Sequence, residues 1–573
     1  MLASAASVIR SISTSITASR TVSRTASIVP SVGAAAIAAA IVVGAHVPVL
    51  GAQTPSTHAM SAAPARDTRV QLVVFVTVDQ LIPAYFARYG RQFTGGFARL
   101  AREGTLYVEG YHDHATTETA PGHASLLSGR FPRSTNIVRN NVGVPDRNAP
   151  LVGGGGPGAS PFRFRGTTLA DWMRTADPRA RILSISRKDR GAILPVGRMK
   201  DASVFWYVND GRFTTSTWYA DTLPTWLQRF NARRVPQSYA GTAWTLLRPV
   251  AQYAEADSVA VESNGSDLVF PHVLPADTAR ATAALPGDPR MDDLTLQAAL
   301  AGADAMQLGR TAGRTDLLAV SLSTTDAVGH RYGPESREIH DHLLRLDRAL
   351  GAFLDSLART VPASRTIVAL SSDHGVQSFP ELRFRDSAGA ALRIDVEPAL
   401  TRAQSALRAR GVDGALGLDF EYGMVFADSA AFAQAKLPMD SVLRDIAARA
   451  RVVPGVARVD FVADLAKADT TRDVIARRWL HALPSDLGVR LVVTPKPGVY
   501  WRGVMYATHG SPNDDDARVP IAFMGPGFAR GRRITRTVRT VDIAPTLARR
   551  LGIVPGERVD GTVLTDALAP TRR

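Results

Sequence analysis

Six side chains able to bind a metal ion recur in short polar stretches of this 573-residue sequence, most of them directly after an apolar run. Carboxylate oxygens and imidazole nitrogens are usual ligands of zinc, and three of each would serve two ions. The six residues are Asp79, Asp326, His330, Asp373, His374 and His509.

Spacing strengthens one pair among these residues. Asp326 and His330 are four positions apart in STTDAVGH, so one helical turn would direct both at one ion. The dipeptide Asp373-His374 is weak evidence by itself, because an aspartate in such a position often caps a turn. The prediction that these six residues are metal ligands therefore depends on whether the fold brings their side chains close together.

A hydroxyl-rich stretch, TTETAPGHASLLSGRFP from Thr116 to Pro132, contains a possible nucleophile. Thr119, with Pro121 two positions later, is typical of a helix start in which the threonine is the N-cap. A threonine hydroxyl held beside a metal ion could instead attack a substrate. The stretch alone favours the cap.

Two further segments carry groups that bind anions. NIVRNN, from Asn136 to Asn141, offers Asn140 and Asn141, and either could be an ordinary turn residue. SRKDRGAILP contains Lys188 and Arg190, whose side chains share one face of an extended segment because they are two apart. Arginine would supply a bidentate fork and lysine a point charge.

The hydrophobic pattern predicts a scaffold that would bring these residues together. Strands are predicted at Val70–Asp79, Ala180–Ser186, Asp316–Ser323, Arg365–Gly375 and Val519–Gly527, and helices at Phe97–Gly104, Glu335–Arg359 and Thr540–Gly552. This alternation predicts an α/β fold with a doubly wound, mostly parallel central sheet. Sites in such sheets form beyond the carboxyl ends of the strands, where most of the candidate ligands stand.

Two long segments interrupt the alternation, at about residues 205–289 and 382–500. The first is rich in tryptophan and tyrosine, and the second has strand and helix patterns of its own. Both are predicted to be insertions that cap the edge of the sheet. Within the helix predicted at Glu335–Arg359, His340 and His342 are expected on the surface.

Composition narrows the classes of function. The net charge of +15 is scattered along the chain, not gathered into a basic run with aromatic residues. No nucleic-acid partner is therefore expected, although an anionic substrate would be attracted. The absence of cysteine excludes disulfides and thiolate metal sites.

The amino-terminal region has the pattern of an export signal. The first 66 residues lack aspartate and glutamate and contain the apolar run Val32–Ala52. This predicts a signal peptide at residues 1–52, a linker at 53–66 and a catalytic domain at 67–573. The expected location is periplasmic or secreted, the expected state is a monomer, and no stable membrane association is expected unless the leading segment stays attached.

Taken together, these motifs resemble the alkaline phosphatase superfamily, in its type I phosphodiesterase/nucleotide pyrophosphatase branch. The resemblance runs from about Val70 to Gly552 and is strongest to bacterial periplasmic alkaline phosphatases that use threonine in place of serine. It implies two zinc ions per chain. The implied ligands are Asp326, His330 and His509 for one ion, and Asp79, Asp373 and His374 for the other.

The resemblance also implies roles for the polar segments. The family nucleophile lies in a Thr-x-x-x-His stretch, which makes Thr119 the nucleophile and His123 a residue of the motif that is not a ligand. Asn140 matches the family's phosphate-binding asparagine. Lys188 and Arg190 match a Lys-Asp-Arg segment of the threonine phosphatases, where both side chains would reach the phosphate oxygens.

The implied activity is hydrolysis of small-molecule phosphate monoesters through a phosphothreonine intermediate, because a Lys/Arg clamp suits the dianionic phosphate of a monoester. A phosphodiesterase or nucleotide pyrophosphatase with the same core is the main alternative, and a non-catalytic metal-binding protein is another. A sulfatase would need a cysteine or serine at the nucleophile position, where this chain has Thr119, so a sulfatase is not expected. His112 and His114 form a competing metal cluster by their strand spacing, although the six family positions already complete both sites.

Overall fold

The computed structural model describes residues 69–383 and 393–570. The predicted signal peptide and linker lie outside the described residues. The strands are β1 (Leu72–Val78), β2 (Thr105–Tyr111), β3 (Ile182–Ser186), β4 (Ser203–Val208), β5 (Arg212–Thr214), β6 (Ala243–Trp244), β7 (His272–Val273), β8 (Asp316–Leu322), β9 (Thr366–Ser371), β10 (Arg393–Ile394), β11 (Leu418–Glu421), β12 (Met424–Ala427), β13 (Val456–Phe461), β14 (Val489–Pro495), β15 (Tyr500–Trp501), β16 (Arg518–Met524), β17 (Arg532–Ile534) and β18 (Val538–Arg539).

Helices lie between these strands along most of the chain. They are α1 (Ala84–Tyr89), α2 (Gly96–Glu103), α3 (Thr119–Ser128), α4 (Pro132–Thr135), α5 (Leu169–Ala176), α6 (Asp189–Ile193), α7 (Thr225–Ala232), α8 (Thr278–Ala284), α9 (Arg290–Ala305), α10 (Thr324–Tyr332), α11 (Arg337–Ala358), α12 (Pro380–Arg383), α13 (Glu397–Arg408), α14 (Gly414–Gly417), α15 (Ser429–Gln434), α16 (Met439–Arg451), α17 (Val462–Leu465), α18 (Val474–Ala482), α19 (Asp514–Ala517) and α20 (Ile543–Leu551). None of the helices in these ranges combines the length and the apolar character that crossing a bilayer requires.

A ten-stranded sheet forms the centre of the fold, in the order β17-β2-β16-β9-β1-β8-β3-β4-β5, with β18 also paired to β2. The run from β9 to β4 is parallel, whereas β16 and β5 pair antiparallel with their neighbours. Every residue of β1, β8 and β9 is buried, because two hydrophobic clusters cover the two faces of the sheet. The predicted fold class is confirmed.

The register of the three central strands explains why their polar ends meet. Val78 at the end of β1 is paired with Leu322 at the end of β8, and Thr77 is paired with Ser371 at the end of β9. Since all three strands run in one direction, the residues directly after them emerge at one edge of the sheet. Asp79 and Asp373 are among those residues.

The first insertion begins later than the sequence predicts. Phe205 lies in β4, which pairs in parallel with β3, and β5 extends the same sheet as far as Thr214. The aromatic residues that mark this region are good strand formers, so part of it belongs to the central sheet. The rest of the insertion covers α11, where Trp244 and Tyr253 both donate to Asp341.

This cover also overturns the expected position of two histidines. His340 is 2% exposed and His342 is fully buried, although the pattern predicts both on the surface. His340 bonds the carboxylate of Glu255, and His342 bonds the hydroxyl of Thr325. The helical pattern of α11 marks its most apolar face, but it cannot show that another segment buries the opposite face as well.

The second interrupting segment forms a structure with its own core. Strands β11, β12, β14 and β13 make a four-stranded antiparallel sheet in that order. Helices α13 and α16 pack their apolar residues against it, in a hydrophobic cluster separate from those of the central sheet. The turn between β11 and β12 is the part of this segment that bears on the candidate site.

Asp347 of α11 joins two helices on one face of the central sheet. Its buried carboxylate accepts backbone N–H bonds from Thr94, Gly95, Phe97 and Ala98 at 2.6 to 3.3 Å, which satisfies the amino-terminal end of α2. Gly95 permits this approach, because a Cβ there would lie 2.1 Å from the carbonyl oxygen of Asp347. The contact therefore has no room for a larger residue.

Replacing this carboxylate should destabilise the protein strongly. Asp347→Ala leaves several buried N–H groups without an acceptor, so we expect the free energy of unfolding to fall by about 2–4 kcal/mol. Asp355→Ala on the same helix removes an exposed pair with Arg99 and should cost under about 1 kcal/mol. Urea denaturation of the two variants checks this, and equal losses would contradict it.

Candidate active site

Asp326, His330 and His509 form the first group of possible ligands. Asp326 and His330 lie at the two ends of α10, and the Oδ1 atom of Asp326 is 3.1 Å from Nε2 of His330. The same oxygen is 3.6 Å from Nε2 of His509, and the two Nε2 atoms are 3.3 Å apart. All three donor atoms thus point at one small space.

Backbone carbonyls fix the orientation of both histidine rings in this group. Nδ1 of His330 donates to the carbonyl of Ala507 at 2.5 Å, and Nδ1 of His509 donates to that of Thr117 at 2.7 Å. Because a carbonyl only accepts, Nδ1 bears the proton of each neutral ring, and the lone pair of Nε2 faces Asp326. The Nε2 lone pairs of His330 and His509 and the carboxylate oxygen of Asp326 repel one another at these distances, so a cation between them would be stabilising.

The second predicted group is Asp79, Asp373 and His374. Nδ1 of His374 donates to the carbonyl of Gly375 at 3.0 Å, so its Nε2 lone pair faces Oδ2 of Asp373 at 3.3 Å. That Nε2 atom is buried and has no hydrogen-bond partner in the described part of the chain. Burial lowers the pKa of His374 well below the usual value, which keeps the ring neutral.

The donor chemistry fits a divalent cation at each group. Asp79, Asp326 and Asp373 are at most 5% exposed, and buried carboxylates require a counter-charge. Burial alone would raise the pKa of Asp326, but the ammonium of Lys188 outweighs burial and holds that pKa well below its usual range. Imidazole with carboxylate is a ligand set that suits zinc.

His123 lies close to the second group but bonds differently. It is within 3.5 Å of Asp79 and 3.3 Å of Asp373, so proximity alone would count it as a ligand. Its Nδ1, however, bonds the carbonyl of Thr119, and its Nε2 bonds the hydroxyl of Ser321. Burial lowers its pKa, but the two carboxylates outweigh burial and raise it, which makes His123 a counter-charge behind the nucleophile segment.

Thr119 is the first residue of α3, and Glu118 is the N-cap residue, so Thr119 is not the cap. The ammonium of Lys188 lies 3.4 Å from Oγ1 of Thr119. The same Nζ atom lies 2.9 Å from Oδ2 of Asp79 and 2.7 Å from Oδ2 of Asp326. One cation therefore touches the hydroxyl and a carboxylate from each ligand group.

Gly122 allows α3 to approach the second group. A Cβ at this position would lie 2.0 Å from the carbonyl oxygen of Asp373, a distance that real side chains do not reach. The helix backbone therefore packs directly against the segment that carries Asp373 and His374. The glycine in the Thr-Ala-Pro-Gly-His stretch has a packing reason that the sequence did not reveal.

The structure separates the two asparagines that the sequence left open. Oδ1 of Asn140 accepts the N–H of Ala120 at 2.8 Å, beside Thr119, whereas the side chain of Asn141 turns away to Glu421. The Nδ2 group of Asn140 has no hydrogen bond to the described residues.

Arg190 makes no hydrogen bond or ion pair with Thr119 or the six ligand candidates, and its nearest acid is Asp189 at 3.7 Å.

Gln80 is a residue of the site that sequence analysis missed. Its N–H donates to Oδ1 of Asp373 at 3.1 Å, and its Nε2 donates to Oδ1 of Asp326 at 2.9 Å. It adopts a left-handed conformation with φ +64°, and a Cβ on Gly329 would lie 1.8 Å from its side chain. A single polar residue after a strand carries no periodic signal that could have marked it.

The competing cluster around Asp113 does not gather a set of metal ligands. His112 bonds the carbonyl of Ser372 and the hydroxyl of Thr540, while Asp113 pairs with Arg477. His114 is buried and makes no hydrogen bond to the described residues. Within residues 69–383 and 393–570, two sets of three possible ligands lie close together. Asp326, His330 and His509 make the first, as predicted, whereas the second consists of Asp79, His123 and Asp373 and does not include His374.

The sequence pattern of the type I phosphodiesterase / nucleotide pyrophosphatase family matches residues 73–392, more than half of the chain. This chain belongs to that family. The matched span runs from β1 past Thr119 and Lys188 to Asp373 and His374, and it therefore contains most of the candidate site. The type I phosphodiesterase/nucleotide pyrophosphatase family is part of the alkaline phosphatase superfamily, so the predicted resemblance is confirmed.

Several known proteins are similar in sequence to this chain along most of their length. Alkaline phosphatase PhoV of Synechococcus elongatus is 30% identical over 531 residues, which cover 89% of this chain and 94% of that protein. Alkaline phosphatase PhoK of a Sphingomonas species is 31% identical, covering 87% of this chain and 91% of that protein. Both alignments therefore include nearly all of the region that the structure describes.

A relative with a solved structure has the same fold as this chain. The crystal structure of wild-type alkaline phosphatase PafA matches with a TM-score of 0.79 and 28% identity, over 89% of this chain and all of that one. A PafA variant in which a threonine, an asparagine, a lysine and an arginine are replaced matches with a TM-score of 0.80. Alkaline phosphatase PafA of Elizabethkingia meningoseptica is 29% identical in sequence.

Metal binding at the sheet edge should appear as a gain in stability. Zinc added to metal-stripped protein should raise the midpoint of thermal unfolding, because a ligand at about 100 times its Kd stabilises the native state by about 2.7 kcal/mol. His330→Ala should reduce this rise, whereas Arg331→Ala, the next residue of α10, should preserve it. The prediction is wrong if zinc leaves the midpoint of the unchanged protein where it was.

Proposed function

We propose that this enzyme is an alkaline phosphatase that hydrolyses phosphate monoesters with two zinc ions, through a phosphothreonine on Thr119. The observation that carries the proposal is the position of Lys188. Its ammonium lies 3.4 Å from the Thr119 hydroxyl and contacts a carboxylate of each ligand group. A fixed cation at a nucleophile is what a dianionic phosphoryl group needs.

The relatives support the same activity. PhoV, PhoK and PafA are each named alkaline phosphatases, and each aligns with most of this chain. In the PafA variant, the replaced asparagine follows the threonine at the spacing by which Asn140 follows Thr119. The replaced arginine there follows the lysine by two positions, as Arg190 follows Lys188.

Each predicted ligand group would hold one of the two proposed metal ions. Asp326, His330 and His509 would hold one zinc ion, and Asp79, Asp373 and His374 would hold the other. When bound, zinc acts as a Lewis acid that lowers the pKa of a coordinated hydroxyl and offsets charge on phosphoryl oxygens. Gln80 orients a carboxylate of each group, since it donates to Asp373 and to Asp326.

Thr119 performs the covalent steps. Its deprotonated Oγ1 attacks phosphorus in line, and the bond from phosphorus to the leaving oxygen breaks as the phosphothreonine forms. The leaving oxygen takes up a proton from solvent. Water then attacks phosphorus from the opposite side, the bond from phosphorus to Oγ1 breaks, and the proton that the water loses restores the threonine hydroxyl. The proton lost from Thr119 goes to solvent, and the Lys188 ammonium favours that loss because it stabilises the oxyanion.

The remaining residues bind the non-bridging oxygens. Ala120 holds the amide oxygen of Asn140, so the free Nδ2 group is available as a donor beside Thr119. The amino-terminal end of α3 adds its positive dipole end at the same place. Lys188, with Arg190 two positions on, would complete a clamp that favours the higher charge of a monoester over a diester.

Several assignments from sequence remain part of the proposal. A signal peptide at residues 1–52 and a linker at 53–66 would place the catalytic domain in the periplasm or outside the cell. We further propose that the mature enzyme is a monomer acting on small-molecule phosphate esters.

The activity test compares two substrates on the zinc-loaded enzyme. We expect kcat/KM for p-nitrophenyl phosphate to exceed that for bis-p-nitrophenyl phosphate, and Lys188→Ala to lower the monoester value by about 10–100-fold, since a hydrogen bond to a charged group contributes about 1.5–3 kcal/mol. Lys200→Ala, which removes an exposed lysine, is the matched control. Thr119→Ala should abolish turnover of both substrates.

Other outcomes would replace the proposal. A preference for the diester would favour a phosphodiesterase or nucleotide pyrophosphatase with the same core. No turnover of either substrate with zinc bound would instead favour a metal-binding protein without catalytic activity.

A further inference from the structure

Asn140 is fixed on one side by the nucleophile segment. Its N–H donates to Oε2 of Glu118 at 2.7 Å, and its Oδ1 accepts the N–H of Ala120 at 2.8 Å. Glu118 and Ala120 flank Thr119, so these two bonds set the distance between the asparagine and the nucleophile. They leave the two chain neighbours of Asn140 to be held by something else.

Glu421 holds both of those neighbours. It lies at the end of β11, in the second inserted segment, and its Oε1 accepts from Nδ2 of Asn141 at 2.6 Å. Its Oε2 accepts from Nη1 of Arg139. One carboxylate therefore bridges the residues on either side of Asn140, across 280 positions of sequence.

The pairing is largely shielded from solvent. The side chains of Arg139 and Glu421 are 15% and 22% exposed, and the guanidinium of Arg139 lies 4.7 Å from the ring centroid of Phe426 in β12. Arg139 is therefore contacted by both strands of the β11–β12 hairpin. This ion pair is partly shielded, although Asn141 is exposed. Breaking a partly shielded pair costs more than breaking an exposed one, because the remaining charge is only partly hydrated.

The turn of this hairpin also lies close to Gly510, which borders Glu118 of the nucleophile segment. A Cβ on Gly510 would lie 3.9 Å from Cγ of Glu118 and 3.9 Å from a ring carbon of Tyr422, which directly follows Glu421. Gly510 follows the candidate ligand His509. The β11–β12 turn therefore lies beside the segment that carries His509, although it belongs to a segment with a separate core.

We propose that Glu421 is a positioning residue of the phosphate site and acts through Asn140. The inference rests on the proposed function, in which Asn140 binds a phosphoryl oxygen beside Thr119. Glu421 fixes Arg139 and Asn141, so the peptide between them cannot rotate, and the amide of Asn140 keeps its direction. The second inserted segment thereby contributes to phosphate binding.

A double-mutant cycle on the full, zinc-loaded chain tests the route through Asn140. Glu421→Ala should lower kcat/KM for p-nitrophenyl phosphate by about tenfold and weaken inhibition by inorganic phosphate to a similar extent. In the Asn140→Ala background the same change should have less than about a threefold effect. Glu421→Gln keeps an acceptor for Asn141, so its kcat/KM should lie between those of the unchanged enzyme and Glu421→Ala.

Asp460→Ala is the matched control. Asp460 lies on β13 of the same four-stranded sheet and accepts two guanidinium bonds from Arg458, at 2.6 and 2.9 Å. It should leave kcat/KM unchanged in both backgrounds. Asn141→Ala removes one of the two bonds to Glu421 and should reproduce part of its effect, which keeps the test informative where Glu421→Ala lowers the folded fraction.

Two outcomes would overturn the inference. Equal effects of Glu421→Ala with and without Asn140 would place its action elsewhere, and unchanged kcat/KM and phosphate inhibition in a folded Glu421→Ala protein would deny it any role. Failure of the proposed function is a separate result, recognised by absent turnover in the unchanged enzyme. In that case calorimetric binding of inorganic phosphate to the same variants still measures the coupling, and additive losses would overturn it.

Discussion

Three carboxylates buried at the ends of three adjacent parallel strands impose the main constraint on this fold. Asp79, Asp326 and Asp373 are almost completely shielded from water, and burying that much negative charge is costly unless cations lie between the carboxylates. Lys188 meets part of the requirement, and two sets of imidazole lone pairs directed at the same oxygens show where further positive charge belongs.

Much of the nearby structure can be understood as support for this charge cluster. Backbone carbonyls hold the tautomers of His330, His374 and His509, and Gln80 ties one carboxylate of each group to the other. Gly122 brings the backbone of α3 against Asp373, which places Thr119 beside Lys188. Small changes in packing at such a cluster are expected to alter the chemistry before they alter the fold.

The sequence predicted the central sheet and the gathering of its polar ends, because both depend on patterns that repeat. Apolar runs mark buried parallel strands, and parallel strands bring the residues at their carboxyl ends to one edge. Gln80, Glu421 and the burial of His340 were not predictable in this way. Each depends on contacts between segments far apart in the chain, and a single polar residue gives no period from which such a contact can be inferred.

The position of β2 has a consequence for how the chain is assembled. β2 is made early, yet its strand partners in the described structure are β16, β17 and β18, all of which come after residue 517. Until residues 518–539 have been synthesised, one edge of the growing sheet exposes unpaired backbone groups. The central sheet can therefore be completed only after these late strands have been made, and a chain that stops before residue 518 would present an unpaired strand to other molecules.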